Sequence, residues 1–170
     1  VVENAADART RRAPRRYGEV AGHAATFDPR PGAGREPGLR RAMELALADA
    51  GRAADEVDVV FADAAGVPEL DLLEAAAIRA VFGPGRVPVT APKTMTGRLY
   101  AGGAALDLAS ALLAIRDGVI PPTVGVAELA PGCDIDLVLG TPREARVGVA
   151  MVVARGYGGF NSAIVVTKTS

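Results

Sequence analysis

Short apolar strands alternate with helical stripes along most of this chain, and two strands follow one another at its end. Leu39, Ala42, Met43, Ala46, Leu47 and Ala50 recur at i, i+3, i+4, i+7, i+8 and i+11, one face of a helix. Gly51 is placed to cap it. VDVVF (57–61) reads as a strand. From Asp71 a second stripe, Leu72, Leu73, Ala76, Ala77, Ala80 and Val81, runs to Gly83-Pro84, which ends it. VPVT (87–90) reads as a buried strand, and an Ala-rich helix over 103–116 is stopped by Gly118. VGVAMVVA (147–154) and AIVVT (163–167) are the closing strands, joined by the Gly-rich turn RGYGGFN (155–161). Upstream, Tyr17 to Phe27 reads as a strand and Asp28 to Gly38 as a Pro/Gly-rich linker or surface loop. The order predicts an α/β fold with a mixed sheet flanked by helices. No period of 20–50 residues marks a repeat protein.

At 170 residues the chain is the size of one domain, and 49% hydrophobic residues suffice for a core. Aromatics are 4% and Trp is absent, so Ala, Val, Leu and Ile must build that core. A net charge of −1 supplies no bulk field for nucleic acid or an anionic membrane. One Cys excludes an internal disulfide framework and a thiolate zinc site, which fits a cytoplasmic location. No apolar run is long enough to span a bilayer, and no signal-peptide pattern is visible. No cofactor and no metal site is expected. The chain opens on Val1 and reads as a piece of a longer protein; its Arg, Ala, Gly and Pro bias fits a high-GC bacterial source.

Several residues invite a chemical reading. The segment 7–16 (DARTRRAPRR) carries five Arg, either a basic arm for an acidic partner or a solvated surface turn. His23 falls in a strand, where a lone His is more often structural than catalytic. Cys133 lies near Asp134 and Asp136, which would raise its pKa and disfavour a reactive thiolate. GYGGF (156–160) lacks phosphate-loop spacing, and a tight turn needing positive φ explains its glycines equally well. GRLYAGGA (97–104) leads into a helix, where an anion could sit, although small residues there also permit close packing. Asp63, Glu69, Asp71 and Glu74 cluster; Asp71 and Glu74 fit the first turn of a helix, where the dipole favours negative charge.

Three segments together carry more. VDVVFADAAGVPELDLLEAAAI (57–78), VPVTAPKTMTGRLYAGGA (87–104) and VARGYGGFNSAIVV (153–166) resemble, in order and spacing, the C-terminal half of beta-ketoacyl synthases of the thiolase fold. VIPPT (119–123) and CDIDLV (133–138) also look like that family. The resemblance implies a thiolase-like C-terminal half, with a complete subunit more than twice as long. Residues 1–38 are then the end of the N-terminal half and its connecting loop, and 39–170 the C-terminal domain. The family's P-x-x-D-x-x-E stretch corresponds to Pro68, Asp71 and Glu74. Counting back from it, one family His falls on Asp63, and the K-S-x-x-G-H segment here reads KTMTGR, so Lys93 is kept while the second His falls on Arg98. The Gly-rich turn is retained as Gly156, Tyr157, Gly158, Gly159 and Phe160, expected to line the vestigial pocket.

This pattern resembles one subfamily, the chain-length factor or beta ketosynthase subunit of type II polyketide synthases. The resemblance implies no catalytic residue of its own. It also implies pairing with an active ketosynthase subunit as a heterodimer, an acyl carrier protein bearing the polyketide chain, and contact with the N-terminal half of its own fold. Decarboxylative condensation needs a nucleophile for the acyl chain and donors for the developing oxyanion. An aspartate at neutral pH would repel a malonyl carboxylate, and an arginine cannot exchange protons. Asp63 and Arg98, sharing one pocket, are expected to form an ion pair that Lys93 could join. The alternatives are a divergent beta-ketoacyl synthase or thiolase-like acyltransferase active in its own right, and a carrier-protein docking module acting through the Arg-rich segment.

Overall fold

The computed structural model describes residues 1–30, 34 and 36–169. Its elements run α1 (Ala5–Thr10), β1 (Glu19–Phe27), α2 (Gly38–Ala50), β2 (Val59–Phe61), α3 (Pro68–Phe82), β3 (Pro88–Thr90), α4 (Gly103–Asp117), β4 (Val119–Ile120), β5 (Asp136–Leu137), β6 (Arg143–Glu144), β7 (Val149–Arg155) and β8 (Phe160–Thr167). One six-stranded sheet has the order β1-β8-β7-β2-β3-β5, and β4 pairs with β6 beside it. β7, β2, β3 and β5 run parallel. β8 runs antiparallel to both β7 and β1, so the sheet is mixed, as the strand order requires.

Alternate strand residues point to opposite faces and divide the core in two. Val60, Met151, Val153 and Val165 face Leu39, Met43 and Leu47 of α2 and Ile78 of α3. Val59, Phe61, Val152 and Val166 face Ala111, Ala114 and Ile115 of α4. Each Val, Leu, Ile, Met or Phe among them contributes about 1.5–3 kcal/mol by leaving water. Gly22 lets β1 lie directly against α2, since a Cβ there would sit 2.4 Å from the Ala50 nitrogen. Gly51 and Gly118 close α2 and α4 in the left-handed conformation, at φ 61° and 67°.

Three sequence expectations shift. The helix expected from Asp71 starts at Pro68 and is rotated: Glu74, Ala75, Ala77, Ile78 and Phe82 are buried. Leu72 and Leu73 stand 37% and 43% exposed, and Ala76 and Ala80 are exposed as well. Hydrophobicity gave the wrong phase because a buried carboxylate, not a leucine, faces the sheet. The Gly-rich turn is shorter than drawn, since β8 already begins at Phe160. Part of the basic segment is helical, with Asn4 capping α1 and Arg11 paired with Glu3 at the surface. Of the linker expected over 28–38, residues 31–33 and 35 lie outside the described residues. Residues 19–27, counted above with the segment 1–38, form the edge strand β1 of this same sheet.

Candidate functional site

Parallel strands bring their carboxyl ends to one edge of the sheet, where crevices form. Asp63 follows β2 by two residues, Lys93 follows β3 by three, and Arg155 is the last residue of β7. The β2–α3 loop is held from below by Glu74. Its Oε1 accepts the Asp63 backbone N–H at 2.7 Å and its Oε2 accepts that of Ala64 at 2.9 Å. Those bonds support a sharp bend in which Ala64 takes φ 44°, a conformation an alanine rarely adopts. Glu74 is therefore an inward anchor and not a helix-dipole residue; Glu69 and Asp71 alone occupy the acidic first turn. Burial raises the Glu74 carboxyl to about 7, against its two N–H donors, with Asp63 adding to the rise and Lys93 opposing it. Burial likewise raises the Asp71 carboxyl.

Two cations meet two carboxylates above that anchor. The Arg98 Nη2 lies 2.8 Å from Asp63 Oδ2, so the expected ion pair forms. The same nitrogen donates to the Arg155 carbonyl oxygen at 2.5 Å. Lys93 is buried, with its Nζ 2.6 Å from Asp107 Oδ2 and 3.9 Å from Asp63 Oδ1. Asp107, on α4, is fully buried, and neither of its oxygens receives a well-aligned hydrogen bond among the described residues. Burial raises its carboxyl, an effect Lys93 opposes. Sequence reasoning did not single out Asp107, although a lone carboxylate amid Ala and Leu on a core helix was its signal. Arg155, whose Nη1 donates to the Leu70 carbonyl at 2.9 Å, was missed as well.

A cavity of about 290 Å³ opens over this edge. Asp63, Arg98, Arg155 and all five residues Gly156, Tyr157, Gly158, Gly159 and Phe160 line it. The glycines have different reasons. Gly158 and Gly159 take φ 74° and 82°, and a Cβ on Gly159 would meet Asp28 Cβ at 2.9 Å. Gly156 has a negative φ, and a Cβ there would press on the Phe160 ring at 3.3 Å. A second cavity of about 290 Å³ lies behind the β2–α3 loop, walled by apolar residues such as Ile78, Val89 and Leu137, with Glu74 and Cys133 among its polar members. The loop divides the two: Asp63 and Ala65 face the charged cavity, Ala62, Ala64 and Gly66 the apolar one.

The other candidates lie apart from the charged cavity. His23 is exposed on β1, 3.5 Å from Asp49. Burial raises the Cys133 thiol, helped by Asp71 and Asp134. Asp136, expected to share in that, is instead turned to Arg143. Residues 97–99 are irregular and 100–102 form one 3-10 turn ahead of α4, which starts at Gly103; of this segment Arg98 alone lines the charged cavity. Among the described residues no group of three or more His, Cys, Asp or Glu could hold a metal, and no helix is long and apolar enough to cross a membrane.

The family model for the beta-ketoacyl synthase C-terminal domain matches residues 17–127, which include Asp63, Glu74, Lys93, Arg98 and Asp107. The chain belongs to the beta-ketoacyl synthase family. The chain is 66% identical over 168 residues to the tetracenomycin polyketide synthase ketoacyl synthase beta subunit of Streptomyces glaucescens, covering 99% of the chain and 41% of that relative. It thus spans well under half the length of the curated protein it matches. Among solved structures, the ishigamide ketosynthase/chain length factor superposes with a TM-score of 0.90 at 31% identity, over 99% of this chain and 42% of that one. A type II PKS acyl-carrier protein in complex with its ketosynthase bound to the hexaketide superposes with a TM-score of 0.88 at 25% identity, over 99% and 42%. The thiolase-like α/β half expected from the sequence is the fold observed.

Proposed function

We propose that this synthase domain belongs to a non-catalytic ketosynthase-like subunit, a chain-length factor, that pairs with an active ketosynthase. Together they form the tunnel in which a type II, aromatic polyketide chain grows, fed by an acyl carrier protein. The observation that carries this reading is the Asp63–Arg98 ion pair at 2.8 Å, seated where the resemblance calls for two imidazoles.

The pair also refines the chemical reason for inactivity. Arg98 offsets the Asp63 charge, so repulsion of a malonyl carboxylate is not the main obstacle. What is missing is a group that donates to an oxyanion and moves a proton near neutral pH, work suited to imidazole. The guanidinium holds its proton throughout, and the Asp63 oxygen facing it is already engaged. Losing one oxyanion donor costs about 10²–10³ in rate, and both positions are altered here. Asp63, Lys93, Arg98 and the turn 156–160 are therefore assigned to a vestigial pocket retained as scaffold.

The test uses the full-length subunit with and without its ketosynthase partner, supplied with malonyl-loaded carrier protein. Polyketide should form only in the mixture, and the subunit alone should acquire no acyl label. Acyl loading by the subunit alone would overturn the reading in favour of an independent acyltransferase.

A further inference from the structure

One guanidinium nitrogen ties together three segments far apart in the chain. Arg98 Nη2 donates at 2.8 Å to Asp63, just past β2, and at 2.5 Å to the backbone carbonyl of Arg155, at the end of β7. Arg98 itself lies between β3 and α4. The Arg155 carbonyl is the last acceptor before the Gly-rich turn, one residue ahead of the Gly156 N–H that closes the hairpin onto the Phe160 carbonyl at 2.7 Å. The far end of that turn is anchored elsewhere. Gly159 O accepts the Asp28 backbone N–H at 2.7 Å and Asn161 Nδ2 at 3.0 Å. Asn161, fully buried, also donates to Asp28 Oδ1 at 2.8 Å. Between these anchors Tyr157 is fully exposed, and Gly158 and Gly159 have the backbone freedom of glycine.

We infer that Arg98 is a positioning residue for the Gly-rich turn: through the Arg155 carbonyl it clamps the near end of the turn to the β2–α3 loop and holds the mouth of the charged cavity in one shape. An ion pair to Asp63 needs only a positive charge. A bond to a carbonyl at the same time needs a donor that reaches both acceptors, which a branched, many-donor guanidinium provides. Hydrogen bonds from an ionised donor are roughly twice as strong as neutral ones, so the carbonyl tie is a substantial share of what Arg98 does. The clamp depends on contacts within this chain, and it stands whether or not the subunit pairs with a ketosynthase.

Hydrogen exchange of the full-length subunit, followed by mass spectrometry, separates the clamp from simple charge neutralisation. In Arg98→Met the peptide spanning residues 156–160 should exchange at least tenfold faster, while peptides from 149–154 and 162–167 stay within about twofold of the parent. Asp63→Asn keeps an acceptor for Arg98 and leaves the carbonyl tie in place, so the turn should quicken no more than about threefold. The inference is overturned if the turn exchanges unchanged in Arg98→Met, if Asp63→Asn frees it as much as Arg98→Met does, or if all three peptides accelerate alike.

Discussion

Lys93 and Arg98 lie five positions apart in one motif, and both serve Asp63, yet their surroundings are opposite. The Lys93 side chain is 5% exposed and meets a carboxylate, Asp107, that is itself sealed. The Arg98 side chain is 38% exposed and meets Asp63 from the cavity side, although the Asp63 side chain is itself only 6% exposed, so it is the cations and not the carboxylates that differ. A sealed charge depends on its partner for all of its solvation, whereas an open one has water as an alternative. The two cations should therefore do different work: Lys93 keeps the fold neutral inside, and Arg98 organises the rim.

The sharpest way to break this contrast is Lys93→Met. It strands Asp107 without a counter-charge and should cost about 3–5 kcal/mol in urea unfolding of the full-length subunit. Adding Asp107→Leu removes the stranded charge and should restore most of that loss, since well-packed apolar pairs replace buried ion pairs at little cost. A double variant as unstable as the single one would show that the carboxylate is needed for something other than neutrality.

Glu74 provides a pH handle on the sealed side. Its carboxyl is raised from 4.5 to about 7, chiefly by burial. The folded state then holds a proton that the unfolded state has released, so the contribution is full below pH 4.5 and lost as pH rises through about 7. The loss is on the order of 3 kcal/mol. Asp107 and Asp71 shift in the same direction. Urea midpoints should fall between pH 5 and 8, and Glu74→Gln should flatten that fall.

The open side should respond least. Arg98→Met leaves the buried Asp63 carboxylate with only Lys93, 3.9 Å away, and is expected to cost about 1–3 kcal/mol in global stability, less than Lys93→Met. That penalty should shrink in 1 M salt, where the screening length falls to about 3 Å, whereas the Lys93→Met penalty should persist. Equal salt responses would erase the distinction between the two cations.

The alternation of strands and helices was readable because burial imposes a period on each element, and the mixed sheet followed from element order. The phase of α3 was not readable. Leu72 and Leu73 look like core residues, and only the backbone N–H groups of Asp63 and Ala64 explain why Glu74 is turned inward instead. Asp63, Lys93, Arg98 and the turn 156–160 were found through the motif pattern, and their ion pair through charge alone. Asp107 was missed because its partner is 14 positions away on another element. The Arg155 carbonyl was invisible for a simpler reason: every residue has one, so its use leaves no trace in side-chain identity.

The β2–α3 loop has side chains of alternating allegiance, with Asp63 and Ala65 toward one cavity and Ala62, Ala64 and Gly66 toward the other. The two chambers therefore draw on different side chains of one loop, whose backbone Glu74 holds for both. Of the positions facing the apolar chamber, Ala64 and Gly66 have positive φ and resist larger side chains, so Ala62 is the one at which that chamber can be narrowed without straining the backbone.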